Sequence, residues 1–261
     1  MGGKTMFEKR EFPILEFDPN QKAKIEPAAL ITKAEVPEYC VITFFSDVID
    51  KMLQSGKLEQ ISMFYCATVN LPIYQTNYNG TPVGIVQGFL GAAGSAGLLE
   101  ELIAMGFKKF IVCGGAGVLQ KGIQVGHLVV PYAAVRDEGV SYHYAEPSRE
   151  IECIQHVLDR MEQALQNEHI PYIKAKTWTT DAFYRETEDK VALRVSEGCV
   201  TVEMEAAAFF AVSKFRNVLL GQILYGGDDL SGVEWDSRQW VSRDEIRNDL
   251  VDLSCKICLQ L

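Results

Sequence analysis

The chain has 261 residues, 48% of them hydrophobic, and 25 basic against 35 acidic side chains leave a formal charge of −10. That length fits one domain with a sizeable core, and no shift in composition marks a linker. The acidic balance disfavours nucleic-acid backbones and membrane surfaces, so any anionic substrate has to be held by local groups.

No apolar run reaches the roughly 18 to 20 residues that a spanning helix needs, and Glu8, Glu11, Glu16 and Asp18 replace the basic leader of a targeting segment. A cytoplasmic enzyme with no membrane or nucleic-acid partner is the expectation. Seven cysteines, an odd number, suit reduced thiols better than a disulfide framework. Cys255 and Cys258 form the sole CxxC, with no second pair to complete a metal site. His127, His143, His156 and His169 show no ligand spacing, so no metal is expected.

Residues 1–40 are poorly periodic and broken by Pro13, Pro19, Pro27 and Pro37, which predicts an irregular arm on the surface or against a partner subunit. Helical spacing covers 46–58. Strands follow at 63–68 and 73–75, and Tyr78-Asn79-Gly80-Thr81 turns the chain into a strand at 82–87. The glycine-rich run from Gly88 to Ser95 then leads into a helix at 96–105, an order suited to cradling an anion or a ribose.

A short strand at 110–113 runs into the glycines Gly114-Gly115-Ala116-Gly117, and the next strand is 125–131. Arg136-Asp137-Glu138-Gly139 packs three charges beside a glycine. For Arg136 an internal ion pair and a ligand contact both stay open. Apolar spacing predicts an amphipathic helix at 151–165, a strand at 172–175, a strand at 199–202, a helix at 206–215, a strand at 218–225 and a helical tail at 242–259. Repeated strand–glycine–helix crossings place the chain in the α/β class.

Acids gather at the edges of elements that otherwise read as buried. Val202-Glu203-Met204-Glu205 opens a nearly all-apolar helix, and Gly227-Asp228-Asp229 closes a strand. Glu205 as a binding carboxylate stands beside the plainer reading of a helix or interface partner. Glu203 is equally a site residue or a structural acid, and Asp229 equally a turn cap.

The glycines 114–117, the run 125–130, Arg136 to Gly139, Thr180-Asp181-Ala182-Phe183-Tyr184, Val202 to Ala206, and Gly227-Asp228 occur in an order that resembles the purine nucleoside and uridine phosphorylase family. The resemblance spans 18–232. It implies a single three-layer α/β/α domain with a mixed, partly barrel-like sheet, in which 1–40 is an arm and 41–261 the main body. It further implies a homo-oligomer, from dimer to hexamer, that cleaves an N-glycosidic bond with inorganic phosphate as co-substrate and no cofactor.

Carried over residue by residue, the resemblance makes Glu205 the holder of both ribose hydroxyls, with Met204 packed on the sugar and Glu203 beside them. Asp228 matches the acid that protonates a purine ring nitrogen as the bond breaks, and so favours a purine over a pyrimidine. Trp178, Tyr184 and Gly117 fall at the base end. The phosphate ligands depart from the family. Where its first loop has glycine-aspartate-proline and then arginine, the comparable stretch here is Phe17-Asp18-Pro19-Asn20-Gln21 followed by Lys22, and Val112 and Gly115 stand where arginine and a hydroxyl residue are usual. Gly114, Gly115, Gly91 and Lys22 are the candidates left for phosphate. A hydrolase using water and a non-catalytic nucleoside-binding protein therefore remain alternatives.

Overall fold

Asn79 and Gly80 adopt φ of 50° and 86°, the left-handed pair that a two-residue hairpin turn requires, and they join β3 (Asn70–Tyr78) to β4 (Thr81–Gln87). The structure, a computed structural model, describes residues 8–261. Before that hairpin come α1 (Pro27–Leu30), β1 (Tyr39–Thr43), α2 (Ser46–Gln54) and β2 (Glu59–Tyr65). After it run α3 (Ala92–Met105), β5 (Lys109–Val118), β6 (Leu128–Asp137), β7 (Glu150–Glu152) and α4 (Gln155–Asn167). The chain finishes with β8 (Tyr172–Thr180), α5 (Glu188–Ser196), β9 (Cys199–Glu203), α6 (Ala206–Arg216), β10 (Leu219–Asp229) and α7 (Asp244–Cys258).

The strands form one ten-stranded mixed sheet in the order β2-β3-β4-β1-β5-β9-β8-β6-β10, with β7 on the side of β6. A further pairing of β10 with β5 closes five of them into a ring, β5-β9-β8-β6-β10. Closure removes two strand edges, and β1 to β4 extend from the ring as an open wing. Helices α2, α4 and α7 pack on one face, while α3 and α6 pack together on the other, giving three layers.

Small residues set the distance between layers. A Cβ on Gly221 of β10 would lie 3.0 Å from Val157 Cγ1 and closer still to Met161 of α4, so the glycine lets that helix approach the strand. Six of the seven cysteines are buried and all seven are free thiols, including Cys255 and Cys258 on the inner face of α7.

Several elements differ from their sequence-based bounds. Strand β5 continues through Gly114 to Gly117 instead of stopping before them, because Leu224, Tyr225 and Gly226 pair in register with Gly114, Gly115 and Ala116. Helix α3 starts four residues earlier than its periodicity suggests. Strand β1 and helix α5 have no counterpart among the expected elements.

Candidate active site

The turn after β9 is built by Glu203. Its Oε2 accepts the backbone N–H groups of Glu205 (2.8 Å) and Ala206 (2.6 Å), two of the donors that the start of α6 leaves without partners. Its Oε1 accepts the Thr179 hydroxyl at 2.6 Å, and that hydroxyl oxygen in turn accepts the N–H of Ala207 at 3.0 Å. Glu203 is thus a buried cap for α6, which corrects its assignment to ribose. Burial pushes its carboxyl up from the ordinary range against the pull of these bonds.

Holding that turn rigid aims Glu205 at the opposite wall. Glu205 Oε1 accepts the N–H of Gly91 at 2.6 Å, and Oε2 accepts the N–H of Met204 at 3.3 Å. Gly91 stands at the head of α3 with φ of 91°, a conformation that favours glycine. Its amide is therefore engaged by the Glu205 carboxyl. Burial first, then the charge of Glu203, raises the Glu205 carboxyl to about 8. Asp181, whose Oδ2 accepts the Gly139 N–H at 2.9 Å, adds to that field.

Asp228 ends β10 on the neighbouring edge. Its Oδ1 lies 3.6 Å from where a Cβ on Gly117 would be, and that same Cβ would meet Val202 Cγ1 at 2.9 Å and Leu230 Cδ1 at 2.7 Å. Gly117 is thus the bare backbone that lets Asp228 lie against β9 one residue before the acid turn, and its face is filled by protein. Its sequence-based place beside the base becomes a packing role. Asp228 Oδ2 accepts the indole N–H of Trp235 at 2.7 Å. Glu186, half-buried after the turn Phe183–Arg185, is raised to about 7 by burial and by the charge of Asp228. Two carboxyl groups thus share one end of the site.

Between the end of β1 pairing at Cys113 and the start of β9 pairing at Gly117, one edge of β5 has no neighbour. Such a break beside the ends of parallel strands is where α/β sheets open a ligand crevice. Aromatic rings line it. Phe44 lies over both Gly88 and Gly114, with ring carbons 2.8 and 3.0 Å from the Cβ each would carry. Trp240 covers Gly115 with ring carbons 3.1 Å from such a Cβ, and Gly227 with its own Cβ at 3.2 Å and ring Cγ at 3.4 Å.

The other expected residues lie elsewhere. Trp178 is 0% exposed, its N–H donates to Asp137 Oδ2 at 3.1 Å, and the Arg194 guanidinium lies over its ring at 5.2 Å. With no accessible surface it cannot stack on a base, so its role is that of a core residue. Tyr184 is 88% exposed and stacks on Phe183. Among the described residues Arg136 forms no ion pair: it donates to Ser141, Ser148 and two carbonyls and lies on the Tyr142 ring. The Gln21-Lys22 stretch sits at the far end of α6, where Gln21 bonds the Phe215 carbonyl and receives Arg216. Eleven residues of helix, roughly 16 Å, separate it from Glu205. Lys22, next to Gln21, thus belongs to the end of α6 away from Glu205.

Glu186, Trp235, Trp240 and Phe44 were not marked by the sequence, since none falls in a patterned motif. Two clefts of about 810 and 660 Å³ flank α7, and neither includes Glu205 or Asp228. Both linings carry Asp249 and Asp252 of α7, so the crevice is picked out by its own residues and not by cleft size.

Comparison with known proteins agrees with this geometry. Residues 38–257 match the phosphorylase superfamily. Guanosine phosphorylase of Halorubrum lacusprofundi is 26% identical over 76% of this chain and 81% of its own. The crystal structure of uridine phosphorylase from Vibrio fischeri superposes with a TM-score of 0.73 at 22% identity, covering 87% of this chain and 94% of that one. That of AMP nucleosidase from Bacteroides thetaiotaomicron gives 0.66 at 20% identity, covering 85% and 87%.

Proposed function

The chain belongs to the phosphorylase superfamily, and on that premise we propose that it cleaves the N-glycosidic bond of a purine nucleoside, with inorganic phosphate as acceptor, to give free base and ribose 1-phosphate. What supports this reading is the placement of a pinned Glu205 just after β9 and of Asp228 near the end of β10, two strands that both pair with β5.

Glu205 binds the two ribose hydroxyls through its two carboxyl oxygens, one able to donate its proton and one to accept. As the C1′–N9 bond lengthens, positive charge grows on the sugar. Asp228 protonates the leaving purine, which otherwise departs as a poor anionic leaving group. The rings of Trp240 and Trp235 offer flat apolar surface for the base. For phosphate, α3 presents the unpaired amides of its first turn, with Ala93 and Gly94 exposed, at the positive end of a helix dipole.

A second reading, hydrolysis by water, is favoured by Phe44. An apolar ring over Gly88 and Gly114 shields backbone that an anion would need. Incubation with guanosine, adenosine, inosine and uridine, with and without phosphate, separates the two. Ribose 1-phosphate formed only with phosphate is the expected result; free ribose at an equal rate without it selects water, and no base release from any nucleoside removes both.

A further inference from the structure

Trp235 is an unusual partner for an acid. It is 63% exposed, yet its indole N–H donates to Asp228 Oδ2 at 2.7 Å. The segment that presents it is not loose. Asp229 and Asp236 exchange two backbone hydrogen bonds, of 2.8 and 3.0 Å, so residues 229–236 form a closed ribbon. Arg238 ties the base of that ribbon to the Asp229 carboxylate and to the Ile123 carbonyl. The ring is thereby held over Asp228 by backbone, not by burial.

We propose that Trp235 is the positioning residue of the general acid: by donating to Oδ2 from a closed ribbon it fixes the orientation in which the Asp228 carboxyl meets the base. This rests on the reading of Asp228 as that acid. An indole N–H is a donor only, so the oxygen it engages accepts and the orientation of the carboxyl is fixed. In the reaction the C1′–N9 electron pair goes to the base, the acceptor oxygen bonds C1′, the proton on Asp228 goes to N7, and Asp228 is left as a carboxylate. The N–H···O contact then becomes charge-assisted, so it strengthens as the bond breaks.

The test uses two substrates that differ only in their need for the acid. Guanosine requires protonation at N7 before its base leaves easily, whereas 7-methylguanosine already carries positive charge there. Trp235→Phe keeps the ring and removes the N–H; because the side chain is exposed, it opens no core. The expected result is a fall in kcat on guanosine larger by about tenfold or more than the fall on 7-methylguanosine, the scale of a hydrogen bond to a charged group. Asp228→Asn should show the same asymmetry. Equal losses on both substrates, or no loss on either, from Trp235→Phe while Asp228→Asn keeps the asymmetry would overturn the positioning role alone. Absence of asymmetry in Asp228→Asn would overturn the acid itself, and the role of Trp235 with it.

Discussion

Glu205 binds its proton more tightly in the folded protein than in the unfolded chain, because burial and the Glu203 charge move it from 4.5 to about 8. Between those values the folded state holds a proton that the unfolded state has released. Stability from this group is therefore full below about 4.5 and declines as pH rises towards 8. Glu186, raised to about 7, acts in the same direction over a narrower window. The melting temperature is expected to fall between pH 5 and 8, and Glu205→Gln should flatten that fall; an unaltered slope in the variant would remove Glu205 as its source. For catalysis, Asp228→Asn should lower kcat for purine nucleosides by about 100-fold or more with little change in KM, measured as release of free base. A residue that merely held the loop would lower melting temperature and activity together.

Among the elements, the start of α6 depends most on one side chain. Glu203 satisfies two amides and the Thr179 hydroxyl, so Glu203→Ala is expected to destabilise the protein by about 1–3 kcal/mol, read from denaturant unfolding. This part of the fold was legible: an acid pair before Ala206-Ala207-Ala208 announces a helix start, and Asn79-Gly80 announces a hairpin. The division of labour between Glu203 and Glu205 was not. Spacing places both carboxylates in one turn, but only the position of Gly91, 114 residues away, decides which one faces the crevice. Strand β5 was missed in part for a similar reason. Glycines 114, 115 and 117 carry no strand propensity, and their extension is imposed by pairing with β10. Trp178 misled because an aromatic residue after a strand looks the same in sequence whether its ring faces a ligand or the core.

For the molecule as a whole, the family resemblance conveyed the three layers and the partly closed sheet, since the order of its motifs follows the order of strands in the chain. The N-terminal arm lay beyond that logic. Phe17-Asp18-Pro19 imitates a phosphate loop locally, yet the chain carries it to the opposite end of α6, beside Phe215 and Arg216. Lys22→Ala should accordingly leave the phosphate dependence of cleavage unaltered, and a raised KM for phosphate in that variant would return the arm to the site.

Strand β10 is hydrogen-bonded on both sides, to β5 and to β6, and Asp228 is carried at its end. The proposed proton donor is thereby fastened to the last seam of the barrel rather than to a loop that melts by itself. Catalytic power and global integrity should vanish as a single cooperative event: in a urea titration, residual turnover and tryptophan fluorescence would trace one midpoint, with no inactive yet folded plateau between them.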